Sequence, residues 1–126
     1  MIQPYASNLK HAAKENENFR EVLFTGAHSQ LVIMSIEPGD DIGLETHDNV
    51  DQILYAVDGE GSAILAGERF EFEKGDVVCV PAGTEHDIVN DGDEPLRLFT
   101  VYSPPQHAPG TIEHLKLAEP TPVARS

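Results

Sequence analysis

Two stretches of this chain concentrate side chains that bind metals or move protons. The first runs from Gly75 to Asn90: a glycine, five residues, a proline, one residue, a glycine, two residues, a histidine, three residues and an asparagine. Each fixed residue has a mechanical job. Gly75-Asp76 turns the chain into a short apolar strand. Pro81 ends that strand, because it has no N–H to give a ladder. Gly83 can take a positive φ that other residues resist. His86 then opens the next strand with its imidazole aimed at one face of the sheet. The second stretch, Pro38 to Gly61, holds Glu45 and His47 two residues apart, so on a strand they share a face. Asp48-Asn49-Val50-Asp51 makes a turn, and Gln52 begins the return strand. Carboxylate, imidazole and amide oxygen are all competent ligands for a first-row divalent metal.

The elements that must position these residues read as short strands cut by turns. Candidate strands are Phe19–Thr25, Gln30–Ile36, Ile53–Val57, Ser62–Leu65, Arg69–Phe72, Val77–Val80, Asp87–Asn90 and Leu96–Tyr102. Between them lie Glu37-Pro38-Gly39-Asp40, Asp58-Gly59-Glu60-Gly61, Ala66-Gly67-Glu68, Lys74-Gly75-Asp76, Pro81-Ala82-Gly83 and Asn90-Asp91-Gly92-Asp93. Strands at this spacing, with no helical period between them, argue an all-β sandwich or barrel. Asn8–Asn18 is the one helical candidate. Its mostly polar pattern fits an extended arm as well.

The Gly75–Asn90 pattern resembles the second motif of the cupin superfamily, with all five fixed positions at the family's spacing. Pro38–Gly61 looks like the first motif: a glycine, five residues, His, one residue, His, three or four residues, Glu, six residues and a glycine. Aligned on Gly39 and Gly59, the first His is Glu45, the second is His47, and the family's Glu is Gln52. The resemblance implies a double-stranded antiparallel β-helix, the jelly-roll cupin barrel. It also implies one divalent ion (Zn, Mn, Fe or Ni) held by Glu45, His47, Gln52 and His86. Two of the usual ligands are exchanged, yet the set still carries one carboxylate. The carboxylate has moved; the ligand charge has not changed. Residues 1–24 are then an N-terminal arm, 25–103 the barrel and 104–126 a C-terminal extension of one domain.

After the last strand, Tyr102-Ser103-Pro104-Pro105-Gln106-His107 is stiffened by two prolines. This could hold Tyr102 or His107 near the barrel mouth as an acid–base or substrate group; packing at a subunit contact is the alternative. His11 and His28 read as solvated. The family's chemistries imply an isomerase, lyase, decarboxylase or dioxygenase acting on a sugar-like or keto/hydroxy-acid ligand. The alternative is a non-catalytic module that binds or senses a small ligand.

The rest of the composition narrows the partners. A chain of 126 residues fits one domain. A formal net charge of −14 repels phosphate backbones and anionic lipid, so nucleic-acid and membrane-surface roles are disfavoured. No run approaches the ~20 apolar residues of a membrane span. Met1 to Lys14 lacks an apolar stretch after a basic start, so no signal peptide is expected and the cytoplasm is the default location. The single cysteine, Cys79, has no intrachain partner, and its valine neighbours make a buried strand position the expectation. A homodimer is expected, because Ile2–Phe24 has little to cover it in one barrel. The tail beyond Glu119, with Pro120 and Pro122, reads as frayed.

Overall fold

The computed structural model describes residues 1–116. One helix, α1 (Leu9–Glu15), precedes nine strands: β1 (Arg20–Thr25), β2 (Gln30–Ile36), β3 (Asp51–Asp58), β4 (Glu60–Leu65), β5 (Glu68–Glu73), β6 (Val77–Val80), β7 (His86–Val89), β8 (Leu96–Ser103) and β9 (Ile112–Glu113). A six-stranded sheet runs β6-β3-β8-β2-β1-β9, and a three-stranded sheet runs β5-β4-β7. Every ladder is antiparallel. The two sheets face each other as a jelly-roll double-stranded β-helix. The eight expected strands all form. The ninth, β9, is two residues long and has too little pattern to read from sequence.

Alternation decides which side chains enter the barrel. On β8, Leu96, Leu98, Thr100 and Tyr102 are buried, and Arg97, Phe99 and Val101 between them are only partly so. Across the large sheet the register sets Gln30, Tyr102, Gln52 and Val80 in one row. The next row is Val32, Thr100, Leu54 and Val78. The first row is polar at three positions and forms the floor of the site; below it the barrel is filled with Met34, Ile36, Leu98, Phe72 and Ile88.

Two glycines of the motifs are demanded by geometry. Gly83 has φ +85°, as its turn requires. Gly59 has φ +90°, and a Cβ there would sit 2.5 Å from the Pro95 carbonyl oxygen.

The expectation for Cys79 is overturned: it is exposed. The outer face of the sheet is uncovered at β6 and at Ile53 of β3 beside it, and only the inner face meets the core here. Val78 and Val80 take that face, and Cys79 pairs with Ile53 on the outside. Three flanking valines look like a fully buried strand, but with one face of the sheet uncovered the period of two prevails.

The N-terminal segment resolves the helix-or-arm ambiguity. The Asn8 side chain caps α1 by accepting from the His11 N–H at 2.9 Å. Arg97 donates to the Lys14 carbonyl at 2.6 Å at the other end. Ala13 is fully buried against Ile33 and Val57, with Leu9, Leu23, Tyr55 and Phe99 around it. The helix thus covers the outer face of its own sheet. The tail beyond Glu119 lies outside the described residues.

Candidate functional site

Glu45 reaches the site through a single bridge. Its N–H donates to the His86 carbonyl at 2.9 Å, and the His86 N–H returns the bond to Glu45 at 2.9 Å. This ties the Pro38–Asp51 segment to β7 and places the first motif beside the second. The Gly83 N–H donates to the His47 carbonyl at 2.8 Å, and the Ala82 N–H donates to Asp51 Oδ1 at 2.9 Å. The two turns around the histidines are therefore locked to each other.

The side chains form two close pairs. His47 Nε2 lies 3.0 Å from Glu45 Oε2. His86 Nε2 lies 3.1 Å from Gln52 Oε1. The His47 and His86 rings are 5.2 Å apart by centroid. All four residues singled out as ligands thus stand at one end of the barrel. Among the described residues, no group of three or more His, Cys, Asp or Glu forms a metal-holding cluster. The set is closed only if the Gln52 amide is counted, and the Glu45 carboxylate is turned toward His47.

The donor chemistry fits a cation. His86 Nδ1 is 2.8 Å from the Thr84 carbonyl oxygen, which can only accept, so Nδ1 carries the proton. In neutral His86 the lone pair is then on Nε2, and it faces Gln52 Oε1, a second acceptor. Gln52 is held in this orientation by donating from Nε2 to Thr100 Oγ1 at 3.1 Å. In this orientation two buried acceptors face each other, an arrangement that a shared positive species would satisfy. The 3.0 and 3.1 Å separations bring the four side chains as close as hydrogen-bonded partners. Turning the amide over gives a self-satisfied alternative, in which Gln52 donates to His86 and accepts from Thr100. The amide is thus the element that distinguishes an ion-ready site from a closed one.

Tyr102 and His107 also reach this site. The Tyr102 ring meets His47 edge-on at 6.3 Å and His107 edge-on at 5.0 Å. Burial pushes the Tyr102 hydroxyl up to about 12, so it keeps its proton. Burial, helped by the charge of Arg20, brings His107 down to about 4, so the imidazole is neutral. Burial also lowers His47, against an opposing pull from Glu45, which leaves its lone pair available. His11 and His28 are exposed.

Sequence reasoning missed three contributors. Gln30 is fully buried and clamps the proline loop. Its Oε1 accepts from the Gln106 and His107 N–H groups at 3.1 and 2.9 Å, and its Nε2 donates to the His107 carbonyl at 2.7 Å. Arg20 faces inward, paired in register with Met34, and its guanidinium pairs with Glu113 of β9. Both were in phase with apolar neighbours, Gln30 with Val32 and Met34, Arg20 with Val22. That phase was the available signal. The third is Asp87, buried behind His86.

Asp87 Oδ1 accepts from the Gly43 N–H at 2.9 Å. Burial, then a hydrogen bond shared with Asp41, raises Asp87 to about 7. Asp41 is lowered by the same shared bond and by Lys116. A raised carboxyl pKa means the folded chain holds a proton that the unfolded chain has lost. The stability from this proton is full below the ordinary value of 3.8, declines as pH rises, and is gone above about 7. Asp87→Asn keeps a non-titrating donor to Asp41. Its melting temperature relative to the native chain is expected to rise between pH 5 and 7 and level off above. Parallel profiles for the two proteins would show that Asp87 holds no such proton.

The geometry fits what the comparisons give. The model of the cupin domain family matches residues 32–102. The chain belongs to that family. It is 39% identical over 120 residues to the uncharacterized protein YrkC of Bacillus subtilis (strain 168), covering 90% of this chain and 64% of that protein. The chain thus spans a little under two thirds of that curated relative. The crystal structure of BH2720 from Bacillus halodurans superposes with a TM-score of 0.89 at 38% identity, covering 90% of this chain and 91% of that one. A predicted oxalate decarboxylase from Thermotoga maritima superposes with a TM-score of 0.59 at 28% identity, covering 63% and 69%.

Proposed function

We propose that this chain is a metal-dependent cupin enzyme acting on a small keto- or hydroxy-acid or sugar-like substrate. One divalent ion would be held by Glu45, His47, Gln52 and His86. The observation that carries this reading is the pair of acceptors, His86 Nε2 and Gln52 Oε1, aimed at each other 3.1 Å apart in a buried site. The ion's contribution would be Lewis acidity toward a substrate oxygen or toward water.

The chain's own residues supply the rest. The Thr84 carbonyl fixes the His86 tautomer, and Thr100 Oγ1 holds the end of the Gln52 amide by a hydrogen bond. Tyr102 keeps its proton and serves as a hydrogen-bond donor to substrate. His107 is neutral, with a buried Nε2 that has no partner among the described residues, and is placed to accept or hold a proton. Gln30 fixes the His107 backbone, so the position of the imidazole is set by the sheet. The oxalate decarboxylase assignment of the Thermotoga relative supports a carboxylate-bearing substrate.

The turned-over amide supports a second reading, a metal-free module that only binds a ligand. A panel of small sugars, keto-acids and hydroxy-acids separates the two. The enzyme reading expects turnover that chelation abolishes and divalent ion restores, and that His86→Ala lacks. Saturable binding without turnover in the ion-loaded protein would favour the module.

The proposed assembly is a homodimer in the cytoplasm. Among the described residues no helix is long and apolar enough to cross a membrane. With α1 covering one part of the large sheet, Ile53 and Val77 remain 43% and 55% exposed on the outer face of β3 and β6. These residues form the surface available to a second copy. Light scattering at micromolar concentration should give twice the chain mass, and Ile53→Asp with Val77→Asp should halve it. A native monomer would refute the dimer.

A further inference from the structure

The outer face of the large sheet carries an aromatic pair that nothing roofs. Strand alternation turns Tyr55 of β3 and Phe99 of β8 outward, opposite each other in register. Their rings stack at 5.2 Å with 25° between the planes. Helix α1 packs Ala13 on Ile33 and Val57 beside this pair, but its seven residues leave both rings partly exposed. What remains is a cavity of about 400 Å³ lined by Lys10, Tyr55, Val57, Lys74, Gly75 and Phe99. Small-molecule sites run roughly 300–1,000 Å³ and combine apolar walls with a few polar groups, as this one does. It opens on the face of β3 opposite to Gln52, so it is not a mouth of the candidate metal site.

The charged residues of the lining are both lysines, in a chain with 22 acids against 8 lysines and arginines. Among the described residues neither lysine has a carboxylate within ion-pair distance. Both stand on anchored backbone. Lys10 lies in the first turn of α1, which Asn8 caps. Lys74 lies in the β5–β6 turn, where its own N–H donates to the Gly59 carbonyl at 3.0 Å and the Gly75 N–H to the Ala56 carbonyl at 2.9 Å. At physiological salt, exposed charges beyond about 8 Å are screened, so these two ammonium groups set the local field against the acidic remainder. Asp58, Glu60 and Glu73 border a neighbouring hollow that Lys74 shares, and they weaken its pull. Charge alone is then too little to hold a ligand, and ring contact must supply the rest.

We infer that this cavity is a second ligand site, which takes a small aromatic carboxylate: the ring lies against Tyr55 and Phe99, and the carboxylate is met by Lys10 and Lys74. A third ring extends an existing aromatic pair in the offset or edge-on geometry such rings prefer. Aliphatic acids lack the ring and neutral arenes lack the charge, so the site selects for the two together. The inference does not depend on a metal in the barrel.

Calorimetry with 2-naphthoate, 2-naphthamide and acetate on the full chain separates these contributions. At low salt the native chain should bind 2-naphthoate about fivefold tighter than 2-naphthamide, the scale of two exposed charge pairs, and acetate should not displace it. Salt at about 0.5 M should close most of that gap. The double variant Lys10→Met with Lys74→Met should bind both arenes alike. Phe99→Leu should weaken both; the lysines are exposed, so their double variant tests a folded chain even if Phe99→Leu does not fold. His86→Ala, which lacks a proposed ion ligand, should bind 2-naphthoate as the native chain does. A native chain that binds no 2-naphthoate, a lysine variant that keeps the preference, or loss of binding in His86→Ala overturns the inference. So does binding that appears only when Ile53→Asp and Val77→Asp are combined, because a second copy is then the occupant of this face.

Discussion

Glu45→Gln is expected to lower divalent-metal affinity by well over 100-fold, and Gln52→Glu to leave it unchanged or raise it. The two changes are isosteric and exchange the same two groups, so packing cannot produce opposite signs. Glu45 is the only carboxylate among the four candidate ligands, and its Oε2 already stands 3.0 Å from His47 Nε2. Removing its charge leaves an ion with neutral donors only. Losses from changes outside the ligand shell run about 10–100-fold, and loss of the sole charged ligand should exceed that. Gln52 is the reverse case. A glutamate there can still take a hydrogen bond from Thr100 Oγ1, which has the hydroxyl to give it, and adds a second negative charge beside His86. Without an ion, that extra buried charge should cost stability. The Gln52→Glu chain should therefore be less stable than native when stripped and regain stability when loaded. Isothermal titration with Mn, Zn, Fe and Ni reads both effects. Equal and small changes in the two variants would show that Glu45 is a pocket acid and not a ligand.

Gln30→Leu is expected to destabilise the fold by about 2–4 kcal/mol, the range for leaving buried backbone groups without partners. The volume is nearly conserved, so little of this is a cavity. What is lost is the set of bonds by which one amide holds the proline loop: two N–H groups and one carbonyl at Gln106 and His107, with Thr25 Oγ1 on the other side. The same change should release His107 from Tyr102. Amide hydrogen exchange at Gln106 and His107 should speed up well beyond the global effect. Exchange that stays native-like there, with a loss below about 0.5 kcal/mol, would mean the loop is held by its prolines and not by Gln30.

The same residues explain what could be read from the chain alone. The turns were legible because glycine and proline act locally. Gly83 sits at φ +85°, where its spacing from Pro81 and His86 put it. That the side chains of Glu45, His47, Gln52 and His86 come together was legible because each lies within a few residues of such a turn. That Tyr102 and His107 could stand together was suggested by the prolines between them, and their rings meet edge-on at 5.0 Å. Cys79 was misjudged because hydrophobic neighbours do not reveal whether a sheet is covered on both faces. That depends on what packs outside it, and the outer face is open at Cys79 and at Ile53 opposite. Arg20 and Gln30 lay hidden for a related reason. Their partners stand 93 and 77 residues away, on a strand and a loop that only the closed fold brings near. A polar residue in phase with apolar neighbours was the one hint, and it identifies a buried position without identifying the partner.

The most direct measurement is elemental analysis of the protein purified without added metal and without chelator, alongside His86→Ala prepared identically. The account expects close to one equivalent of a first-row divalent metal per native chain and a small fraction of that in His86→Ala. A native chain that carries no metal, and takes up none from Mn, Fe, Ni or Zn at micromolar concentration, would contradict it.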